Sequence, residues 1–508
     1  MKPGSAGKEA ERKGTEVTEK TLFQKLKEYN KSMLPMHMPG HKRNLALSGT
    51  DGYLTALCAD CDITEIAGFD NLAEPEEILL SLKKRAARLW HSEEAYPLVN
   101  GSTCGILAGI YATVPHGGSV IVARNCHKSV YNGLQLVNAK VTYLMPEQEK
   151  VTGIYGSITP EAVEEALKRV PDTKLVIVTS PTYEGIVSDV EGICKVAHTY
   201  GVPVLADSAH GAHLGFGSFP KSAVECGADI VVQSLHKTMS SLTQTAMLHR
   251  TGSLISGEEI QSAINMFQTS SPSYLLMASI EGCIGLLEER GEELFDGWQE
   301  ALELFYSETK DLRHLSALGT DKVSELSFGV KELRTAMMSH DRSKLLIGTA
   351  GTNLTGAELM ERLRTEYHIE PEMAAEQYVI AMTGMGDTKE TLFRFAKALK
   401  EIDETCAEVP VKEVICPALP GVRMSIGEAM QAESEERRIK EAIGQVAAEH
   451  IWAYPPGIPV VVAGEEISEE LAEYLLEKQR RGVDLHRRSG TCKGEFRIRV
   501  ITGTSFCK

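Results

Sequence analysis

The chain has 508 residues, 43% apolar and 24% charged, the balance of an ordinary globular protein long enough for two or three domains. Its 53 basic and 70 acidic residues leave a net charge of −17, which argues against a nucleic-acid partner, because phosphate binding needs a basic face. Eleven cysteines, an odd number spread over the whole length, are unlike the dense paired framework of a small secreted domain.

Residues 1–20 are polar and lack a signal-peptide core, and no apolar run reaches the roughly 18 residues of a membrane span. A disordered tail on a cytoplasmic protein is expected. A short amphipathic helix is predicted from Thr21 to Lys31, with Leu22, Phe23, Leu26 and Tyr29 at helical spacing, ahead of a turn at His37–Lys42. Cys58 and Cys61 have C-x-x-C spacing, but no second pair or histidine couple completes a zinc set, so no metal is expected. Helices follow at Glu76–Trp90 and, apolar on most sides, at Ser102–Val114. Strands are then predicted at Ser119–Ala123, Lys140–Leu144, Lys174–Thr179, Val202–Ala206 and Ile230–Gln233, several of them separated by helical stretches such as Pro160–Val170 and Asp189–Tyr200. Runs so continuously apolar suit strands buried on both faces, and their alternation with helices predicts an α/β fold with a mainly parallel sheet. From about residue 280 the pattern changes to long charged helices such as Ile280–Leu312, then to mixed segments with strands at Tyr378–Met382 and Val460–Ala463. The expected division is a tail (1–20), an N-terminal segment (21–74), a large domain (75–290), a small α+β domain (291–400) and a C-terminal domain (401–508).

Ligands gather at the carboxyl ends of strands in such sheets. Asp207 ends one predicted strand there, and Ser234-Leu-His236-Lys237 follows the next. Pyridoxal phosphate requires an amine for covalent attachment, a carboxylate to keep its ring nitrogen protonated, and donors for its phosphate. Lys237 and Asp207 match the first two needs, and Ser234 and His236 flank the lysine as phosphate ligands or proton carriers. Gly101-Ser102-Thr103 opens a predicted helix, a natural phosphate seat. The plain alternatives are a surface lysine, an aspartate helix cap and an ordinary Ser/Thr cap.

The blocks His37-Met-Pro-Gly-His-Lys42, Asn100-Gly-Ser-Thr103, Arg124-Asn-Cys-His127-Lys-Ser129, Pro181-Thr-Tyr183-Glu-Gly185, Asp207-Ser-Ala-His210, Ser234–Lys237, Tyr454-Pro-Pro-Gly457 and Gly464-Glu465 occur in one order along the chain. Through them the sequence strongly resembles the ornithine/lysine/arginine decarboxylase family, the group III basic amino-acid decarboxylases. The resemblance implies a fold type I pyridoxal-phosphate enzyme with a seven-stranded, mainly parallel sheet. Catalytic roles then fall to Lys237, His236, His210 and Asp207. The cofactor would be held by Lys237, Asp207, His127 stacked on its ring, Gly101, Ser102, Thr103, Ser234 and His236. Asp62, Glu65, Asp70 and Glu465 are candidates for the substrate's distal cation, some from a partner subunit. Thr269-Ser-Ser-Pro272 matches a segment that reaches a neighbouring subunit's phosphate, so at least a homodimer is implied. The implied reaction is decarboxylation of a basic amino acid. No receiver-like domain precedes the match, which favours the shorter arginine or lysine enzymes and, of these, arginine to agmatine, with lysine or ornithine as alternatives. Two other readings remain at this point: an aminotransferase or lyase on the same fold, and a non-catalytic regulatory homologue. Cys104-Gly105 and the segment Arg423–Ala429 depart from the family pattern, the latter in a region implied to shape the substrate pocket.

Overall fold

The computed structural model describes residues 20–32, 36, 38–39, 41–49, 52–318, 339–411, 413, 417–453, 458–481, 483–488, 490–492 and 494–502. Residues 1–19 of the expected tail, His37, Gly40 and Tyr454–Gly457 lie outside the described residues. The chain divides into two compact units, residues 1–64 and 65–508. In the first, α1 (Leu22–Ser32) precedes the short α2 (Tyr53–Ala56). Leu22 and Leu26 of α1 are buried, whereas Phe23, one position off their stripe, is exposed.

The second unit is built on a seven-stranded sheet. In chain order its elements are α3 (Ile78–Leu89), β1 (Glu94–Leu98), α4 (Gly101–Thr113), β2 (Ser119–Ala123), α5 (Lys128–Leu136), β3 (Lys140–Leu144), α6 (Pro160–Arg169), β4 (Thr173–Thr179), β5 (Ile186–Val187), α7 (Val190–Thr199), β6 (Val204–Asp207), β7 (Ile230–Ser234), α8 (Leu235–Thr238), β8 (Ala246–Arg250), α9 (Gly257–Phe267) and α10 (Tyr274–Thr309). The sheet order is β1-β8-β7-β6-β4-β2-β3. The run from β7 to β3 is parallel, while β8 lies antiparallel to both its neighbours. β2, β6 and β7 are buried at every position, as continuous apolar runs require. β1 and β8 are absent from the strands predicted above. Pro97 interrupts β1, which an edge strand tolerates, and the polar His249-Arg250 pair closes β8.

α4 packs closely on this sheet. A Cβ at Gly105 would lie 2.8 Å from Leu98 Cδ1 and 2.9 Å from Val232 Cγ1, and one at Gly109 would lie 2.8 Å from Leu205 Cδ1. Small residues on that face fix where the helix N-terminus falls over the strand ends.

α10 is 36 residues long and breaks at Arg290, where φ is −138°, just before Gly291. Beyond it come β9 (Ser316–Leu318), β10 (Ser339–His340), β11 (Lys344–Gly348), α11 (Gly356–Tyr367), β12 (Met373–Ala374), β13 (Tyr378–Met382) and α12 (Lys389–Asp403). β12, β13, β11 and β9 form an antiparallel sheet, while β10 pairs with β5 of the large domain. Residues after 417 carry two more small sheets around a core that includes Ile451, Val461, Leu471, Leu475 and Ile498. Ile426, Ala429, Val462 and Ala463 from this region also join the core of the large domain. Among the described residues no helix is long and apolar enough to cross a membrane.

Candidate active site

β6 and β7 are adjacent and parallel, with Asp207 opposite Val232, so their carboxyl ends deliver Asp207 and the Ser234–Lys237 turn to the same edge. Asp207 is 4% exposed. Burial raises its pKa, Lys237 opposes that shift, and the Ala209 amide donates to Oδ1 at 3.3 Å. The Asp207 carboxylate is thus a buried acid under the charge of a half-buried amine, not the cap of a helix. Burial also lowers the pKa of Lys237; Asp207 and Glu372 pull it upward, and Lys344 pushes it further down.

The Lys237 amine lies 2.7 Å from His210 Nε2. Burial, followed by the charges of Lys237 and Lys344, holds His210 well below the usual imidazole pKa. A neutral imidazole accepting at Nε2 carries its proton on Nδ1. His127 is likewise neutral, lowered to about 4 by burial and then by Lys237 and Lys128. Its Nδ1 accepts from the Ser129 amide at 3.3 Å and caps α5, which leaves the proton on Nε2. In His236, Nδ1 lies 2.9 Å from the Thr245 carbonyl, which can only accept, so Nδ1 carries a proton and donates it.

Gly101, Ser102 and Thr103 form the first turn of α4. The Gly101 amide donates to the Gln244 carbonyl at 2.9 Å, and the cap residue Asn100 makes no side-chain capping bond, so among the described residues the Ser102 and Thr103 amides are not taken by a helix cap and could serve an anion. The buried Oγ atoms of Ser208 and Ser234, Oγ1 of Thr238, Oδ1 of Asn125 and Nδ1 of His210 have no hydrogen-bond partner among the described residues. Buried polar atoms are normally paired. This cluster beside an acid, an amine and an open helix N-terminus fits a polar, phosphorylated cofactor.

Of the substrate-cation candidates, Asp70 and Glu465 have other work. Asp70 accepts backbone N–H groups of Asn71, Glu76, Glu77 and Leu79 at 2.8–3.0 Å. Burial would raise its pKa, but these four amides hold it below the usual carboxylate value. It organises the entry to α3. Glu465 is buried and meets the Arg124 guanidinium with both oxygens at 3.2 Å, while the Val462 amide donates to Oε2 at 2.7 Å. Arg124 is held charged by Glu465 in spite of burial and also donates to the Pro459 and Val460 carbonyls. Glu465 therefore ties the C-terminal domain to the end of β2 through Arg124. Glu65 is half-buried and accepts from the Leu72 amide at 3.2 Å. Asp62, in the first unit, takes a hydrogen bond from His41 Nε2 at 3.2 Å.

Glu372 is a site acid that the sequence reading did not single out. It is exposed and acts electrostatically on Lys237. The Tyr183 hydroxyl donates to its Oε1 at 2.5 Å, and the Tyr183 ring meets His210 at a centroid separation of 4.7 Å. The acidic run Ile369-Glu-Pro-Glu372 ahead of a strand was its only local signal. The divergent Arg423–Ala429 segment opens a helix, Ile426–Gln431, with a Ser425/Glu428 capping box, and this helix packs on α5.

A family model described as Orn/Lys/Arg decarboxylase, major domain, matches residues 20–390, and one described as the C-terminal domain of the same family matches residues 415–483. The chain belongs to the Orn/Lys/Arg decarboxylase family. An arginine decarboxylase of Bacillus subtilis is 32% identical over 90% of this chain and 93% of its own length. A lysine decarboxylase of Hafnia alvei is 24% identical over 76% of this chain and 63% of its own length. The crystal structure of a Francisella novicida lysine decarboxylase superposes with a TM-score of 0.78 at 20% identity, covering 95% of this chain and 81% of that one, which places the two in one fold. The family comprises pyridoxal-phosphate-dependent amino-acid decarboxylases, and the chain is an enzyme of this class. The aminotransferase and non-catalytic readings give way to decarboxylation.

Proposed function

We propose that this decarboxylase carries pyridoxal phosphate on Lys237 and converts arginine to agmatine and CO2. The observation that carries the reading is the half-buried lysine amine held by a neutral histidine and opposed by a buried aspartate at the carboxyl end of the sheet. Greater identity to a curated arginine decarboxylase than to a lysine decarboxylase supports the choice of substrate.

Asp207 would pair with the protonated ring nitrogen, His127 would cover the ring, and the α4 amides with Ser102, Thr103, Ser234 and His236 would take the phosphate. When bound, the cofactor supplies an electron-accepting ring for the electron pair released as the carboxyl group leaves. Burial and Lys344 favour the neutral, nucleophilic form of Lys237, and His210 Nε2 orients that amine. Lys237 Nζ and His236 Nε2 are the two groups able to return a proton to the substrate carbon. Glu372, steadied by Tyr183, offers a carboxylate to the substrate's distal cation.

Thr269, Ser270 and Ser271 are exposed, in keeping with a role across a homodimer interface in which each subunit completes its neighbour's phosphate site. The deciding experiment incubates purified protein and pyridoxal phosphate with arginine, lysine and ornithine, scoring CO2 and agmatine, cadaverine or putrescine. Agmatine as the dominant product is expected; cadaverine or putrescine in its place refutes the substrate assignment. Glu372→Gln should raise KM for arginine roughly 10- to 100-fold, the effect of weakening one charge-assisted hydrogen bond, with kcat within about threefold of wild type. An unchanged KM removes Glu372 from the pocket.

A further inference from the structure

Three ionisable side chains, none of them placed against cofactor or substrate, lie fully buried next to His210. Asp341, Lys344 and His213 are each 0% exposed. The Lys344 ammonium donates to Asp341 Oδ2 at 2.9 Å, to Ser343 Oγ at 3.0 Å and to the backbone carbonyl of His210 at 3.2 Å, so its three protons are all placed. Asp341 Oδ1 accepts from His213 Nε2 and from the Ser343 amide, both at 3.0 Å. Burial works against the charge of Asp341, yet His213 and Lys344 hold its carboxyl well below the usual range. His213 is in turn fixed between the rings of Phe219 and Trp298, with centroids 4.7 and 5.0 Å away.

A buried ion pair is no more stabilising than well-packed apolar residues of similar volume, so stability gives it no reason to be here. Its location does. Lys344 begins β11 of the small domain, and Asp341 opens the turn that precedes it. The same turn grips the large domain a second time: the Asp341 amide donates to the Gly185 carbonyl at 2.8 Å, and His340 Nε2 lies 3.0 Å from the Glu184 carbonyl. Gly185 has φ +92°, and a Cβ there would meet Lys344 Cβ and the Asp341 carbonyl at 3.0 Å. One short segment thus holds both the backbone of His210 and the loop that carries Tyr183, the two rings that meet beside Lys237.

We propose that Lys344 is a positioning residue of the active site: its ammonium, neutralised by Asp341, fixes the His210 carbonyl and so holds the imidazole against the Lys237 amine. This rests on Lys237 being the reactive lysine. The charged and titratable groups around that amine are Asp207 at the end of β6, His210 and His127 from the strand-end turns, Glu372 ahead of β12, and Lys344 itself. Removing the Lys344 charge leaves Asp207 and Glu372 less opposed, so the amine keeps its proton to higher pH.

The test uses full-length holoenzyme in two double variants, Asp341→Asn with Lys344→Met and Asp341→Asn with Lys344→Gln, neither of which strands a buried charge. The methionine variant should lose roughly tenfold in kcat, with KM within about twofold of wild type. In its apo form, the pH at which Lys237 reacts with trinitrobenzenesulfonate, read by peptide mapping, should move upward. The glutamine variant keeps a donor for the His210 carbonyl and should recover most of kcat. A methionine variant that melts cooperatively, still traps cofactor at Lys237 with borohydride, and shows wild-type kcat and labelling profile overturns the proposal. If neither variant melts cooperatively, 15N-histidine NMR of wild-type apoprotein decides. A His210 ring that stays neutral with its proton on Nδ1 from about pH 6 to about pH 8 supports the proposal, and a titrating ring or the opposite tautomer sinks it. Borohydride label absent from Lys237 in the wild type is a separate failure, that of the cofactor assignment.

Discussion

Lys237→Ala is expected to lower turnover of the holoenzyme at least about a thousandfold and to leave no borohydride-reducible cofactor on the peptide that spans residue 237. The amine stands within hydrogen-bond reach of neutral His210 and also interacts electrostatically with Asp207. Alanine removes the proposed covalent attachment point, a proposed proton donor, and the charge that opposes the raised pKa of Asp207. Arginine is no substitute, because a guanidinium stays protonated and cannot serve as the nucleophile. Turnover near the wild-type rate in Lys237→Ala would reject the assignment whatever the substrate proves to be.

Arg124→Met should lower the unfolding free energy by roughly 3–5 kcal/mol, the cost of leaving a buried carboxylate without its cation. Glu465 is 1% exposed and loses both guanidinium hydrogen bonds in this variant, while the Pro459 and Val460 carbonyls lose their donor. Glu465→Gln added to Arg124→Met should return part of the loss, since the pair can be neutralised together more cheaply than one partner can be stranded. The urea midpoint of full-length protein measures both effects. An unchanged midpoint for Arg124→Met would show the pair to be dispensable.

The parallel part of the sheet was legible because β2, β4, β6 and β7 are built on continuous apolar runs, and their spacing places Asp207 and Lys237 at one edge. β8 escaped because burial there includes a histidine: His249 is accommodated by hydrogen bonds to Gln233 and Ser92, which local hydropathy does not register. The acids of the site were harder to read. A carboxylate near a motif looks alike in sequence whether it meets substrate, backbone amides or an arginine, and only the fold shows Asp70 under the start of α3 and Glu465 against Arg124. Glu372 was one acid among 70, and it is the pairing of the small domain with the 183–187 loop that brings it beside Lys237.

Arg124 and Glu465 stand 341 positions apart in the chain. During synthesis the ribosome emits the guanidinium long before its carboxylate, so a nascent major domain must keep β2 open to water or bury an uncompensated cation. Burial of Arg124 beside the catalytic sheet is thereby tied to the arrival of the C-terminal domain, and a chain truncated before Glu465 is expected to expose that edge, which limited proteolysis would register.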